Sequence, residues 1–185
     1  LFLFGIAGMI VGSISAIRAG TITKMTAFSS AAQIGYIFMG IGMGTKEAMV
    51  AVFFHICAHA ITKPVLFLSG GALIDASGGG RDFTSLRGAA HRNPAAGLAF
   101  LCGSLSMIGF PIFTGFISKL YFALSAFAFP HKSMVVLLTL AVSTILNVIY
   151  FMYVSVILYT GRPDPERRIG IGRQKAFFAA VFMLK

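Results

Sequence analysis

Long apolar runs separated by short polar connections make up most of the chain. Apolar runs of roughly 17–25 residues recur, which is the length that a membrane-spanning helix requires. They predict helices at about 1–18, 22–44, 47–75, 94–128 with an interruption, and 132–160, with a truncated start near 174. The predicted fold is therefore an all-α, polytopic transmembrane helix bundle with about five spans plus a truncated sixth, one span being broken.

The predicted helix 94–128 is too long for a single uninterrupted span. A continuous helix of that length would measure about 52 Å, against a hydrocarbon core of roughly 30 Å. Gly109, Pro111 and Gly115 lie in its middle, within "GFPIFTG". Because proline removes an amide donor and disrupts a helix, we expect the helix to break there. The segment is then either a hairpin of two short spans or one broken crossing.

The charge of the loops distinguishes these two topologies. A chain that is 57% hydrophobic and 11% charged, with a net charge of +10, fits a membrane protein better than a nucleic-acid-binding one. One broken crossing leaves only Lys46 and Lys132 on one face of the membrane. It collects the other basic loop residues on the opposite face: Arg18, Lys24, Arg81, Arg87, Arg92, Arg162, Arg167, Arg168, Arg173 and Lys175. The positive-inside rule therefore favours one broken crossing with cytoplasmic basic loops.

The stretch "HICAHAITKPVLF" places ionisable groups within an otherwise apolar helix. His55, His59 and Lys63 are spaced by four residues and fan over about 80° of the helix surface, and Thr62 joins that face. A single histidine there would be explained by packing, and a single lysine by snorkelling to the interface. Three such groups on one face favour a proton relay, because ionisable residues inside membranes usually line pathways.

A zinc site at His55 and His59 is the other chemical interpretation of this stretch. The segment lacks the glutamate of a zinc-protease helix, and no third ligand is evident nearby. We therefore expect neither a metal nor a cofactor.

Polar residues on the other predicted helices are candidates to complete the site. Lys119 follows the predicted break. Further candidates are Lys24, Ser30, Gln33 and Tyr36 in the helix 22–44, and Asn147 in the helix 132–160. Hydrogen bonding between helices is the default explanation of such polar stripes, and a solvated loop charge explains Lys24 equally well. Small-xxx-small pairs, Gly8 with Gly12 and Gly40 with Gly44, suggest close helix packing.

Four ordered motifs resemble one known family. "ITKMTAFSSAAQIGYIFMGIG", "FFHICAHAITKPVLFLSGGALI", "DFTSLRG" and "GSLSMIGFPIFTGFISKLYF" are similar to segments of the antiporter-like membrane subunits of respiratory complex I, of Mrp-type sodium/proton antiporters and of membrane-bound hydrogenases. The resemblance implies that 1–160 is the second of two inverted repeats. It also implies that 161–185 is a basic cytoplasmic loop and the start of a further helix.

The resemblance also implies roles for individual residues. Lys63 matches the central lysine of the relay, and Lys119 matches the lysine of the broken helix that faces the exit half-channel. His55 and His59 match the histidines that connect these lysines to the central polar axis. Leu120 stands where some members have an acidic residue, so a partner for Lys119 must come from elsewhere.

The implied function is translocation of protons, or exchange of sodium for protons, within a complex I-like NADH:quinone oxidoreductase. The alternatives are an Mrp-type antiporter or a hydrogenase subunit without NADH activity, and a purely structural membrane anchor. The expected partners are the first repeat, other membrane subunits and the lipid bilayer, in a bacterial or archaeal inner membrane. The chain has no Gly-rich dinucleotide motif, cysteine cluster or paired haem ligands, so any redox chemistry belongs to other subunits. The coupling ion, the particular complex and the origin of the missing repeat stay open.

Overall fold

The computed structural model describes residues 1–128 and 132–161, and these residues form helices joined by short loops. The helices are α1 Phe2–Ile17, α2 Ile22–Met43, α3 Lys46–Ala76, α4 Ala89–Arg92, α5 Pro94–Ile108, α6 Thr114–Phe127 and α7 Ser133–Tyr159. The described part of the chain has no β-strand, only an isolated bridge between Thr21 and Asp82. The predicted all-α fold is confirmed. Apart from Gly161, the predicted terminal loop and helix start lie outside the described residues.

Capping residues explain where the helices begin and end. The side-chain oxygens of Thr21, Thr45 and Asn93 accept hydrogen bonds from amides in the first turns of α2, α3 and α5. Gly44 ends α2 with φ 68°, a left-handed conformation that glycine adopts without strain. The short helix α4 is the one element that the apolar pattern did not predict, because it lies inside a polar connection.

The buried apolar residues form two clusters, one at each end of the bundle. The first cluster joins the end of α1, the start of α2, the end of α3, the start of α5 and the end of α7; it includes Ala16, Ile22, Leu73, Phe100 and Leu158. The second joins the opposite ends of α1, α2, α3 and α7 together with α6; it includes Phe2, Met43, Val52, Ala126 and Val136. The direction of the chain therefore alternates from one helix to the next, with α5 and α6 together acting as one element.

Side-chain contacts show how α5 and α6 share their neighbour α3. The Thr62 hydroxyl contacts that of Ser106 in α5, and Nδ1 of His55 contacts the hydroxyl of Ser118 in α6. Further along, the Phe54 ring stacks on that of Tyr121. Along this series of contacts the residue numbers in α3 decrease while those in α5 and α6 increase. The two short helices therefore lie end to end, and both run antiparallel to α3.

Glycines allow α1 and α2 to touch backbone to backbone. A Cβ atom on Gly5 would lie 2.2 Å from the Met39 nitrogen, and one on Gly12 would lie 2.6 Å from the Ala32 nitrogen. From the other side, a Cβ on Gly42 would meet the Phe2 backbone at 2.2 Å. The predicted packing pairs are therefore only partly correct. Gly8 has ordinary contacts, Gly40 faces side chains of α3 and α6, and Gly44 is a helix cap.

Two of the described helices, α3 and α7, are long and apolar enough to cross a membrane. The helices α1 and α5 are apolar but shorter. The number of spans accordingly stays a prediction, whereas the helical architecture and the end-to-end placement of α5 and α6 are structural observations.

Candidate functional site

Lys63 lies buried between α3 and α2, with 6% of its surface exposed. Its Nζ atom donates to the carbonyl oxygen of Thr26 at 2.8 Å and to the Ser29 hydroxyl at 2.5 Å. The same carbonyl accepts the hydroxyls of Ser29 and Ser30 at 2.8 and 3.3 Å. Lys63 is therefore held by neutral oxygens, an arrangement that favours exchange of its proton more than a fixed ion pair would.

The carboxylates of the described residues lie at the ends of the bundle. Glu47 is in the first turn of α3, Asp75 is in its last turn, and Asp82 is in the loop that follows. Lys63 occupies the middle of the same helix. The buried part of the site thus consists of lysine, histidine, tyrosine and neutral polar groups.

His55 and His59 continue from Lys63 along the same face of α3, one helical turn apart. Their rings are stacked with centroids 6.3 Å apart and an interplanar angle of 20°. Nδ1 of His55 lies 3.1 Å from the Ser118 hydroxyl, which in turn donates to the Gly115 carbonyl. His55 is buried, while His59 is partly exposed. The two histidines extend the polar face from Lys63 to the first turns of α6.

The helix break lies beside this histidine pair. The helix α5 ends at Ile108, Gly109 follows with φ 89°, and α6 begins at Thr114. Between them Ile112 has φ 87°, which is rare for a β-branched residue. A Cβ atom on Gly115 would lie 1.8 Å from the Ser106 carbonyl oxygen, so only glycine permits this approach of the two half-helices. Pro111 lies within the interruption, where its missing amide costs no helical hydrogen bond.

Lys119 reaches back from α6 across the break. Its Nζ atom donates to the Ile108 carbonyl oxygen at 2.7 Å and to the Thr144 hydroxyl of α7 at 3.4 Å. The same Nζ atom lies 5.4 Å from the centre of the Tyr36 ring. The Ile108 carbonyl is one of those that the end of a helix leaves without a backbone partner. The break therefore supplies the acceptor that binds the lysine.

Two further polar chains connect the helices around the site. Thr62 contacts the Ser106 hydroxyl at 3.1 Å, and Ser106 contacts that of Thr114 at 3.3 Å. On the other side, the Tyr36 hydroxyl donates to that of Ser143 at 2.9 Å. These contacts fix α2, both half-helices and α7 around the histidine face of α3.

A small cavity of about 10 Å³ lies at the centre of these groups. It is lined by Gln33, His55, Ala58, His59, Thr62, Ser106, Met107, Gly115, Ser118 and Lys119. Three buried nitrogens, Gln33 Nε2, His55 Nε2 and His59 Nδ1, have no hydrogen-bond partner among the described residues. A cavity of this volume is about the size of one water molecule.

The structure brings most of the predicted site residues together, but not all. His55, His59, Lys119, Gln33 and Thr62 line the cavity, and Tyr36 contacts His55 and Lys119. Lys63 lies one turn from His59 along α3, outside the lining, and Ser30 shares its acceptor. Lys24 lies exposed in the first turn of α2, away from them. Asn147 is buried, and its side-chain oxygen accepts the hydroxyl of Tyr150 on its own helix. The structure therefore does not place Lys24 or Asn147 at the cavity.

Several hydroxyl groups at the site were not among the candidates. They are Ser29, Ser106, Thr114, Ser118, Ser143 and Thr144. Serine and threonine are common in apolar helices, where they bond to the preceding turn. A sequence signal existed for Ser29, which recurs with Gln33 and Tyr36 on one helix face, and for Ser143, which recurs with Asn147 and Tyr150. None distinguished the others.

Comparison with known proteins identifies a family and several relatives that this chain resembles. Residues 1–146 match the family model described as NADH:quinone oxidoreductase/Mrp antiporter, TM. The chain is 36% identical over 163 residues to the NADH-quinone oxidoreductase subunit N of Desulforudis audaxviator, covering 88% of this chain and 32% of that protein. It is 31% identical over 171 residues to the NADH-quinone oxidoreductase subunit L of Pseudomonas aeruginosa, covering 88% and 27%.

A eukaryotic relative shows a similar level of identity. The NADH-ubiquinone oxidoreductase chain 5 of Phytophthora infestans is 37% identical over 117 residues, covering 60% of this chain and 17% of that protein. The chain thus spans about a third or less of the length of these relatives.

Proposed function

The chain belongs to the NADH:quinone oxidoreductase/Mrp antiporter transmembrane family, and from this membership we propose that it forms one half of a path carrying protons, or exchanging sodium for protons, across a membrane. It is an integral membrane protein. The proposed half is the second inverted repeat, 1–160, of a subunit whose first repeat lies outside this sequence. The basic loops at one end of the bundle face the cytoplasm.

The proposed path runs from Lys63 through His59 and His55 to Lys119. Lys63 and His59, and His59 and His55, are neighbours one turn apart on α3. Imidazole can take up a proton at one ring nitrogen and release it from the other. The amines at the two ends exchange protons with the imidazoles through the intervening hydroxyls and a water in the cavity. The Lys63 and Lys119 ammonium groups repel one another, so protonation of one favours release from the other.

The cavity is the observation that carries this proposal. Both histidines and Lys119 line it, and they come from two different helices that meet beside the break. Three polar nitrogens of its lining residues have no hydrogen-bond partner among the described residues, which is costly in a buried site that holds no water. Buried polar atoms of Ser13, Ser104, Asn147 and Ser155, which do not line the cavity, also lack a partner among the described residues, so the convergence of both histidines and Lys119 on one cavity is what supports the proposal.

We propose that the subunit belongs to a complex I-like NADH:quinone oxidoreductase. The alternative is an Mrp-type antiporter or a membrane-bound hydrogenase. The curated relatives are named as subunits of the first kind. The driving force comes from other subunits, because the sequence carries no nucleotide motif or cysteine cluster. The proposed partners are the first repeat, neighbouring membrane subunits and lipid.

Proton flux in liposomes containing the full-length protein in its complex tests the proposal. Lys63→Met keeps most of the side-chain volume and removes the ionisable amine. We expect coupled flux to fall to background while the complex still assembles. Lys46→Met on the same helix is the matched control, because Lys46 is exposed at the first turn of α3, and it should leave flux unchanged. Full coupled flux in Lys63→Met would contradict the relay and favour a purely structural anchor.

A further inference from the structure

The aromatic ring of Tyr36 contacts two ionisable groups of the proposed proton path, Lys119 and His55. The Nζ atom of Lys119 is 5.4 Å from the ring centre. The His55 ring stacks on the same tyrosine at 5.1 Å, with an angle of 24° between the planes. Tyr36 is fully buried. A single side chain of α2 therefore contacts both a lysine of the broken helix and a histidine of α3.

The tyrosine hydroxyl is engaged elsewhere. It donates to the Ser143 hydroxyl of α7 at 2.9 Å, on the other side of the site from α3. The part of Tyr36 that faces Lys119 and His55 is thus the ring. The sequence pattern singled out Tyr36 for its hydroxyl group, but the ring makes the contacts with Lys119 and His55.

The face of an aromatic ring carries partial negative charge and attracts cations, most strongly where water is excluded. It attracts an ammonium or imidazolium group without accepting a proton. A carboxylate at the same place would bind a cation far more tightly and could itself be protonated. The carboxylates of the described residues lie at the bundle ends, whereas the partly negative ring face of Tyr36 contacts Lys119 within the bundle.

We infer that the ring of Tyr36 is a positioning element that holds the Lys119 ammonium beside the helix break and orients the His55 ring towards it. The inference rests on the proposed proton path and assigns this role to the aromatic face. The hydroxyl joins α2 to α7 at Ser143, the neighbour of the Thr144 hydroxyl that Lys119 contacts. Tyr36 positions the groups that transfer protons and does not itself take up or release one.

A graded series of rings at position 36 of the full-length protein, in its complex, tests the inference. The series comprises Tyr36→Phe, phenylalanines bearing one, two or three ring fluorines introduced by nonsense suppression, and Tyr36→Leu. Fluorine withdraws charge from the ring face while leaving its shape almost unchanged. We expect Tyr36→Phe to retain most of the flux, the fluorinated rings to lower it step by step, and Tyr36→Leu to lower it about tenfold.

The same substitutions at Tyr121 are the matched control. Tyr121 stacks on Phe54 at 5.1 Å, an aromatic pair on the other side of α6 from the lysine contact. Flux should be insensitive to fluorination there. A flux equally low in Tyr36→Phe and Tyr36→Leu would assign the role to the hydroxyl and overturn the inference, as would a flat response across the fluorinated series.

A second readout separates this inference from the proposed function. Lysines of the purified protein are reductively methylated with ¹³C-formaldehyde, and the Lys119 methyl resonance is identified by its loss in Lys119→Met. In wild type and Tyr36→Phe the nearby ring should shift this resonance upfield, and Tyr36→Leu should remove the shift. The same shift in Tyr36→Leu would refute the ring contact even where flux is lost. The upfield shift without any flux in wild type would support the contact and reject the proton path.

Discussion

The Nζ atom of Lys119 donates a hydrogen bond to the carbonyl oxygen of Ile108 at 2.7 Å. The two residues belong to different helices that lie end to end, and Ile108 is the last residue of the first one. A helix terminus exposes carbonyl groups that need donors, and here the donor is the ionisable group of the proposed path. The end of α5 therefore supplies the acceptor for Lys119, and Lys119 supplies the donor that this helix end needs.

Lys119→Met should affect both stability and transport. Removing the amine deprives the Ile108 carbonyl of its donor inside the bundle, which costs roughly 1–3 kcal/mol of unfolding free energy. The end of the proposed path is lost at the same time, so coupled flux should fall to background. Thermal unfolding in detergent and liposome flux measure the two effects. Lys46→Met, with its side chain exposed, should change neither, and an unaltered flux in Lys119→Met would exclude it from the path.

Lys63→Arg separates a lysine that exchanges a proton from one that supplies a fixed charge. Arginine does not lose its proton in proteins, so it can replace only the charge. We expect Lys63→Arg to assemble and to lose coupled flux, like Lys63→Met. Purification yield and flux are the measurements. Near-normal flux with arginine would mean that Lys63 supplies a fixed positive charge and is not a relay member.

Gly115→Ala should destabilise the junction of the two half-helices. An added Cβ would lie 1.8 Å from the backbone carbonyl oxygen of Ser106, which cannot move as a flexible side chain can. We expect a loss of about 3 kcal/mol or more, measured by thermal unfolding. Gly71→Ala is the control, because the structure leaves open space around this helical glycine. Alanine is favoured there by up to about 1 kcal/mol, so equal melting temperatures for both variants would contradict the described packing.

The loop after α3 should respond to acid through Asp82. The hydroxyl of Thr84, and the hydroxyl and amide of Ser85, all donate to its carboxylate. These bonds, with that of Thr84 the strongest, lower the pKa of Asp82 below its usual value. Because the folded pKa is lower than the unfolded value of about 3.9, this stabilisation is present above about pH 4 and is lost as the pH falls towards the folded pKa.

A spin label on the loop measures this response. With Cys57 and Cys102 replaced by alanine, a nitroxide at Arg87→Cys should become more mobile as the pH falls below about 4. In the Asp82→Asn variant the label should be more mobile at every pH and show no such transition. An identical pH response in both variants would assign the transition to another group.

Local patterns in the sequence were sufficient to predict the long helices, their approximate ends and the ionisable groups inside them. Apolar run lengths and capping residues such as Thr21 and Thr45 are local properties, and the predicted helix limits agree with the structure to within a few residues. The spacing of His55, His59 and Lys63 likewise puts them on one helix face whatever surrounds it. The motif order was also sufficient to identify the family, which the family match confirms.

Which of these groups contact one another depends on how the helices pack. Ser118 and Thr144 were indistinguishable in sequence from hydroxyls that bond to their own helix, and they are partners of His55 and Lys119 because of the rotation of α6 and α7 about their axes. The same rotation turns the ring of Tyr36, and not its hydroxyl, towards Lys119. Helix rotation and register depend on the packing of whole surfaces, such as the Gly5 and Gly12 contacts of α1 with α2, and a local pattern does not encode them.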